Sequence, residues 1–306
     1  MASSPTIALA GATGGLGPAV LEELLANNFH VTLLTRQGSN SAGGVAKSEL
    51  LNISEIGYSD IKGMTDVLRG IDVVVSTVGN PGLDNQIPLI DAAVAAGVKR
   101  FIPSEFGADP EHEKNKPLPF YIRKLRILDH LKEKAANNPG FSYSRVTTHA
   151  FLDWGITEGF LLNPKVHQIT IYNGGNTRFS VTTLRTIARA IVAIANNLDG
   201  TKNRPVFVHD AAITQNQLVR YAKEADGIDW AMESMDTKQL LHDSLEEMKK
   251  PNPDLAKAMR GLTFVAVYDE DHGPDLTDRL SNKLLGLPVM TEKEVAEVIK
   301  KAMLAA

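Results

Sequence analysis

The chain contains no cysteine among its 306 residues. Disulfides, thiol nucleophiles and cysteine-ligated metals are therefore excluded, and a reducing compartment suits it. It also lacks a charge bias: 32 Lys and Arg stand against 36 Asp and Glu, a net charge of −4. A charge of that size and sign draws neither nucleic acid nor an anionic membrane. No run approaches the roughly 18 apolar residues that span a bilayer. The opening residues carry neither the basic start nor the long apolar core of a secretory signal. A cytoplasmic protein is expected, without a membrane or nucleic-acid partner, as a monomer or homodimer. Metal-ligand spacings such as H-E-x-x-H are missing, so no metal is expected. No G-x-S-x-G elbow points to hydrolysis. Repeats and low-complexity tracts are missing too, and residues 38–44 (GSNSAGG) are the one stretch that reads as a flexible loop.

What is present is a regular alternation. Residues 6–10 (TIALA), 30–35 (HVTLLT), 72–77 (DVVVST), 100–103 (RFIP) and 141–146 (FSYSRV) read as short apolar strands. Between them, 18–27, 65–68, 86–96 and 119–136 carry helical spacing. Near-continuous apolar strands joined by helices imply a parallel sheet covered on both faces. Right-handed crossovers then give a doubly wound sheet. The expected fold class is α/β: a Rossmann domain over residues 1–153 and a smaller α+β lobe over 154–306, with some elements returning to the first domain. In the second half, 168–172 and 205–209 read as strands. Residues 184–197, 214–225, 236–250 and 291–303 read as helices, and 172–176 (YNGGN) as a hairpin turn.

The strongest motif is Gly11-Ala12-Thr13-Gly14-Gly15-Leu16-Gly17, set between the first strand and the first helix. Gly11 permits the tight turn, Gly14 lets a pyrophosphate approach the backbone, and Gly17 lets the helix pack closely on the strand. Free N–H groups and the helix dipole then hold negative charge. Gly11, Thr13, Gly14, Gly15, Leu16 and Gly17 are thus expected to bind a dinucleotide. The second strand ends in Thr35-Arg36, and no Asp or Glu occurs between His30 and Lys47. A guanidinium pairs with a ribose 2′-phosphate that a carboxylate would repel. Arg36 therefore predicts NADP(H) rather than NAD, and Lys47 is a second cation within sequence reach.

The segments IALAGATGGLGPAV, DVVVSTVG and VKRFIPSEFGADP together resemble the isoflavone reductase-like and NmrA-like families of atypical short-chain dehydrogenases. The likeness extends through FSYSRVTTHAF and IYNGGNTRFSVTTLRTIARAI to about residue 195. It implies an active site between the Rossmann domain and the C-terminal lobe. It also implies that Ser76, Thr77, Val78, Gly79, Ser104, Glu105, Thr148 and Phe151 line the cofactor. Lys124, followed by Ile127, Leu128 and Leu131, matches the family pattern of a general acid/base lysine and is expected in the site, with Arg123 as its competitor by a one-residue slip. Tyr121 misses the ordinary Tyr-x-x-x-Lys spacing by one. A lysine near a cationic nicotinamide and partly out of water has a lowered pKa, which suits proton transfer. His149 replaces the family's usual Asn; a histidine there is either a catalytic group or a structural one.

Three functions fit these residues. The first is an NADPH-dependent reductase of a small, aromatic or secondary-metabolite substrate. The second is a dinucleotide-sensing regulator without turnover. The third is an isomerase or cyclase that retains NADP(H).

Overall fold

A computed structural model describes residues 4–39 and 48–306. Lys47 and most of the 38–44 loop lie outside the described residues. The first half runs β1 (Ile7–Ala10), α1 (Gly17–Ala26), β2 (Val31–Arg36), β3 (Leu51–Ile56), α2 (Ile61–Leu68), β4 (Val73–Ser76), α3 (Gln86–Ala96), β5 (Arg100–Ile102), α4 (Pro119–Asn137) and β6 (Ser142–Thr147). The second half runs β7 (Ala150–Phe151), α5 (Leu152–Thr157), β8 (Gln168–Tyr172), β9 (Phe179–Thr182), α6 (Leu184–Asn196), β10 (Arg204–Phe207), β11 (Ala211–Ile213), α7 (Gln215–Asp226), β12 (Ala231–Met235), α8 (Thr237–Met248), α9 (Leu255–Tyr268) and α10 (Glu292–Ala305).

The main sheet has seven strands in the order β10-β6-β5-β4-β1-β2-β3. Every pairing in it is parallel. Alternation along the strands supplies both faces. Ile7, Leu9, Leu33 and Val75 pack with Val20 and Leu24 of α1 and with Ile187 and Ile191 of α6. Ala8, Ala10, Leu34 and Val74 pack with α2, α3 and α4 on the other side. The sheet is thus doubly wound. Its last strand and one covering helix, β10 and α6, come from beyond residue 153.

Arg100 fastens β5 to that returning segment. Although 1% exposed, it donates to Ser142 Oγ at 2.8 Å, Ser144 Oγ at 2.6 Å and Thr201 Oγ1 at 2.8 Å, and to the Leu198 carbonyl.

The rest of the chain builds the second lobe from two small sheets, β11-β9-β7 and β12-β8. Their core joins Leu152, Ile171, Phe179 and Leu218 to Phe264 and Tyr268 of α9 and Ile299 of α10. Residues 172–176 are not a hairpin turn. β8 pairs with β12 and β9 with β11 and β7, so the turn passes the chain between different sheets. Its backbone is left-handed at Asn173, Gly174 and Gly175, and Asn216 braces it by bonding the Gly174 carbonyl and Asn176.

Candidate active site

The site starts with the turn after β1. Gly11 has φ +84, and a Cβ there would stand 2.6 Å from the Thr77 backbone carbon. A Cβ at Gly17 would stand 2.3 Å from the Gly11 carbonyl oxygen, so the helix start can touch the turn only because residue 17 is a glycine. Gly14 differs: a Cβ there would meet nothing closer than 3.4 Å. The protein itself leaves that space open, on the side where a phosphate would approach. The N-terminus of α1 has no side-chain cap and no acidic residue in its first turn. Its dipole and N–H groups therefore present uncompensated positive potential.

Beside this turn, at the carboxyl ends of β1, β2 and β4, lies a cleft of about 330 Å³. Gly11, Thr13, Gly14, Arg36, Thr77, Val78 and Gly79 line it together. Arg36 is the only charged residue among its described lining, and among the described residues its guanidinium forms no ion pair. Thr77 fixes the cleft floor by donating Oγ1 to the Ala10 carbonyl at 2.9 Å. Tyr58, Pro81, Gly82 and Asn85 complete the wall and were not foreseen. Tyr58 follows β3, which pairs in register with β2 so that Ile56 faces Arg36. Burial pushes its hydroxyl up, and the Arg36 charge opposes that shift. Reading β3 in the sequence would have found Tyr58.

Gly15, Leu16, Gly17, Ser76, Ser104, Glu105, Lys124, Thr148 and Phe151 do not line this cleft. Gly15 instead faces Trp154, whose Nε1 lies 2.9 Å from where a Cβ would be. Phe151 meets Trp154 edge-on at 6.1 Å. Ser76 and Thr148 are buried, and their hydroxyl oxygens have no partner. Ser104 ties two strand ends together: its Oγ donates to the Val78 carbonyl and its N–H to Gln86, both at 2.8 Å.

On α4, Tyr121, Lys124, Ile127, Leu128 and Leu131 form the inward stripe. Lys124 is 6% exposed. Its Nζ donates to the Glu105 carbonyl at 2.7 Å and lies 3.7 Å from the Glu105 carboxylate. Burial pulls the lysine below its ordinary value while Glu105 opposes this. Burial pushes Glu105 up, against the nearby charges of Lys124 and Arg145. Neither Glu105 carboxylate oxygen has a hydrogen-bond partner. Arg145 is occupied by Asp109 and Glu111, each at 2.9 Å. Arg123 points the other way, to Asp84 at 2.9 Å on the surface. The helix register therefore turns Lys124 inward and Arg123 outward. Tyr121 is buried among Ala108, Leu118 and Leu262, where burial raises its hydroxyl.

His149 stands outside the cleft, and the structure favours its structural alternative over a catalytic one. It is 3% exposed with φ 58, and its N–H donates to the Gly107 carbonyl at 3.0 Å. The ring lies against the Ala266 and Ser180 backbones without a well-formed hydrogen bond. Burial pulls it down to about 4, so it is neutral near pH 7. Among the described residues no group of three His, Asp or Glu gathers as a metal site. No described helix is long and apolar enough to cross a membrane.

The sheet order and the glycine turn define a Rossmann-fold α/β protein with an added C-terminal lobe. The chain belongs to the NmrA-like family, whose pattern matches residues 3–248. It is 30% identical over 302 residues to the oxidoreductase aprR of Aspergillus flavus, covering 96% of this chain and 98% of that one. Its fold matches leucoanthocyanidin reductase of Vitis vinifera, solved with NADPH, at TM-score 0.77 and 21% identity over 98% of this chain and 99% of the other. It also matches AtPrR2, solved with NADP+ and (+)-pinoresinol, at TM-score 0.76 and 22% identity over 98% of this chain and 100% of the other.

Proposed function

We propose that the chain is an NADPH-dependent reductase of a small aromatic or secondary-metabolite molecule. One observation carries this: a cleft beside an uncapped helix start, with room at Gly14, whose only charged described lining residue is Arg36. That donor set fits a dinucleotide bearing a 2′-phosphate. The kinship with an oxidoreductase of nearly equal length supports the same reading. When bound, the cofactor supplies hydride.

The chain's own residues do the remaining work. The Gly11–Gly17 turn holds the pyrophosphate, and Arg36 holds the 2′-phosphate. Thr77, Val78 and Gly79 present small side chains and backbone along the cleft. Lys124 holds the proton at Nζ, fixed by the Glu105 carbonyl. Desolvation weakens its hold on that proton, which favours donation. The test is to follow loss of 340 nm absorbance with NADPH and a panel of phenolic and enone substrates. Turnover that disappears in Lys124→Ala supports the proposal. Tight NADPH binding with no turnover on any substrate overturns it in favour of a sensor.

A further inference from the structure

The C-terminal lobe encloses a second cavity, of about 250 Å³, which shares no lining residue with the cofactor cleft. Its lining combines four aromatic residues, Phe160, Tyr172, Phe264 and Tyr268, with polar ones such as Gln168, Glu233 and Arg260. The Tyr172 and Tyr268 rings stack 4.8 Å apart at 10°, and Phe160 and Phe264 lie 4.7 Å apart. On α9, Arg260, Phe264 and Tyr268 recur every four residues and so share one face. Rings packed on one another in this way offer faces and edges on which an aromatic occupant can pack.

Two polar groups in this lining are incompletely satisfied among the described residues. The Arg260 guanidinium lies 5.3 Å from the Phe264 ring centre and 5.9 Å from that of Phe160. Among the described residues it has no carboxylate partner, and its hydrogen bond to the Gly159 carbonyl is long at 3.5 Å. The rings hold the cation in place and leave its planar fork of donors open. Deeper in, Tyr268 is 1% exposed and, among the described residues, its hydroxyl makes no well-formed hydrogen bond, with only the Gln215 amide near it. Gln215 itself accepts from the Tyr172 N–H through Oε1 and donates Nε2 to the Thr170 carbonyl. A buried hydroxyl left this way calls for a ligand atom. The cavity also has one acid, Glu233 on β12, which accepts from Gln168 at 2.9 Å.

We propose that this cavity receives a planar aromatic portion of the substrate that carries an acidic group, with the carboxylate held by Arg260. As a statement about substrate it rests on the reductase reading above; the binding itself does not. A line of rings connects the two sites. Phe160 lies 6.3 Å from Trp154, and Trp154 covers Gly15 of the cofactor turn.

The experiment is calorimetric titration with three probes of one shape: 2-naphthoate, its methyl ester and 2-naphthylmethylammonium. Wild type and Arg260→Gln are compared, and NADPH affinity is measured on the same samples. The acid should bind wild type about tenfold more tightly than the ester or the amine, as a charge-assisted pair requires. Arg260→Gln should erase that preference and leave NADPH affinity unchanged, which also shows that the variant is folded. The proposal is overturned if ester or amine binds as well as the acid, if the preference survives in Arg260→Gln, or if no probe binds. Failure of the reductase reading would show separately, as missing NADPH affinity.

Discussion

Lys124 Nζ sits between two oxygens of a single residue, bonded to the Glu105 carbonyl at 2.7 Å and 3.7 Å from its carboxylate. The carbonyl fixes position and the carboxylate adjusts charge. With no other partner on its oxygens, Glu105 stabilises the ammonium that burial disfavours. Lys124→Ala should slow reduction by about 10²- to 10⁴-fold, the usual range for a lost general acid. Because the protonated form is the donor, the rate should fall as pH rises through a lysine value below 10.5. Glu105→Gln should move that falling limb to lower pH, which a purely structural change would not do. Arg123→Gln should leave the profile unmoved. Rate against pH for the four proteins checks all four statements.

Arg36→Ala should weaken NADP+ binding by roughly 10- to 100-fold, the range for a lost charge-assisted hydrogen bond, and change NAD+ binding little. Competitive titration of the two nucleotides measures the ratio. An unchanged ratio would remove Arg36 from the phosphate site.

Two glycines of the same turn should behave differently. Gly11→Ala combines a left-handed backbone with a 2.6 Å clash on Thr77, and the backbone term alone costs about 1–2 kcal/mol. It should lower the melting temperature clearly. Gly14→Ala meets only ordinary contact distances within the protein. It should fold and melt nearly as wild type while losing dinucleotide affinity, because the added methyl fills space left for phosphate. Thermal denaturation paired with nucleotide titration separates the two.

His149 should appear in stability rather than in turnover. Its folded value of about 4 lies below the ordinary 6.5, so the unfolded chain binds the proton more readily. Stability is therefore full above about pH 6.5 and is lost as pH falls toward 4. At 1.36 kcal/mol per unit, His149 accounts for on the order of 2–3 kcal/mol of that decline. His209, also pulled to about 4 by burial, adds to it. Asn tolerates the left-handed backbone, so His149→Asn should fold and show a shallower loss. Denaturant midpoints between pH 4 and 7 test this, and an unchanged slope would contradict it.

The elements legible in the sequence were those buried on both faces or striped at helical spacing. β1 and β4 announce themselves because the sheet interior demands unbroken apolar runs, and α3 through apolar residues at helical spacing. β12 (AMESM) gave no such signal, since all five of its residues are exposed. β3 (LNISEI) is the edge strand of the main sheet, mostly open to solvent, and its pattern is correspondingly mixed. α9 was passed over because different residues of this one helix face two cores, Leu262 toward Tyr121 and Phe264 toward Tyr172. A helix apolar on two sides has no single stripe to find. At the site, local motifs located the glycine turn and Arg36. Trp154 and Tyr58 reach it through pairings between distant segments, which no local pattern records.

Arg100 has a consequence for how the chain divides. Its guanidinium, taken out of water and pulled down to about 10 by burial, meets two serines of β6 but also Thr201 and the Leu198 carbonyl. A fragment ending near residue 153 would keep the cation and lose half of its acceptors, along with the α6 cover and the β10 edge. Although every residue lining the cofactor cleft precedes residue 86, the sheet that carries it is completed only by β10 and covered by α6, both supplied after residue 153, so such a fragment should be less stable than the full chain.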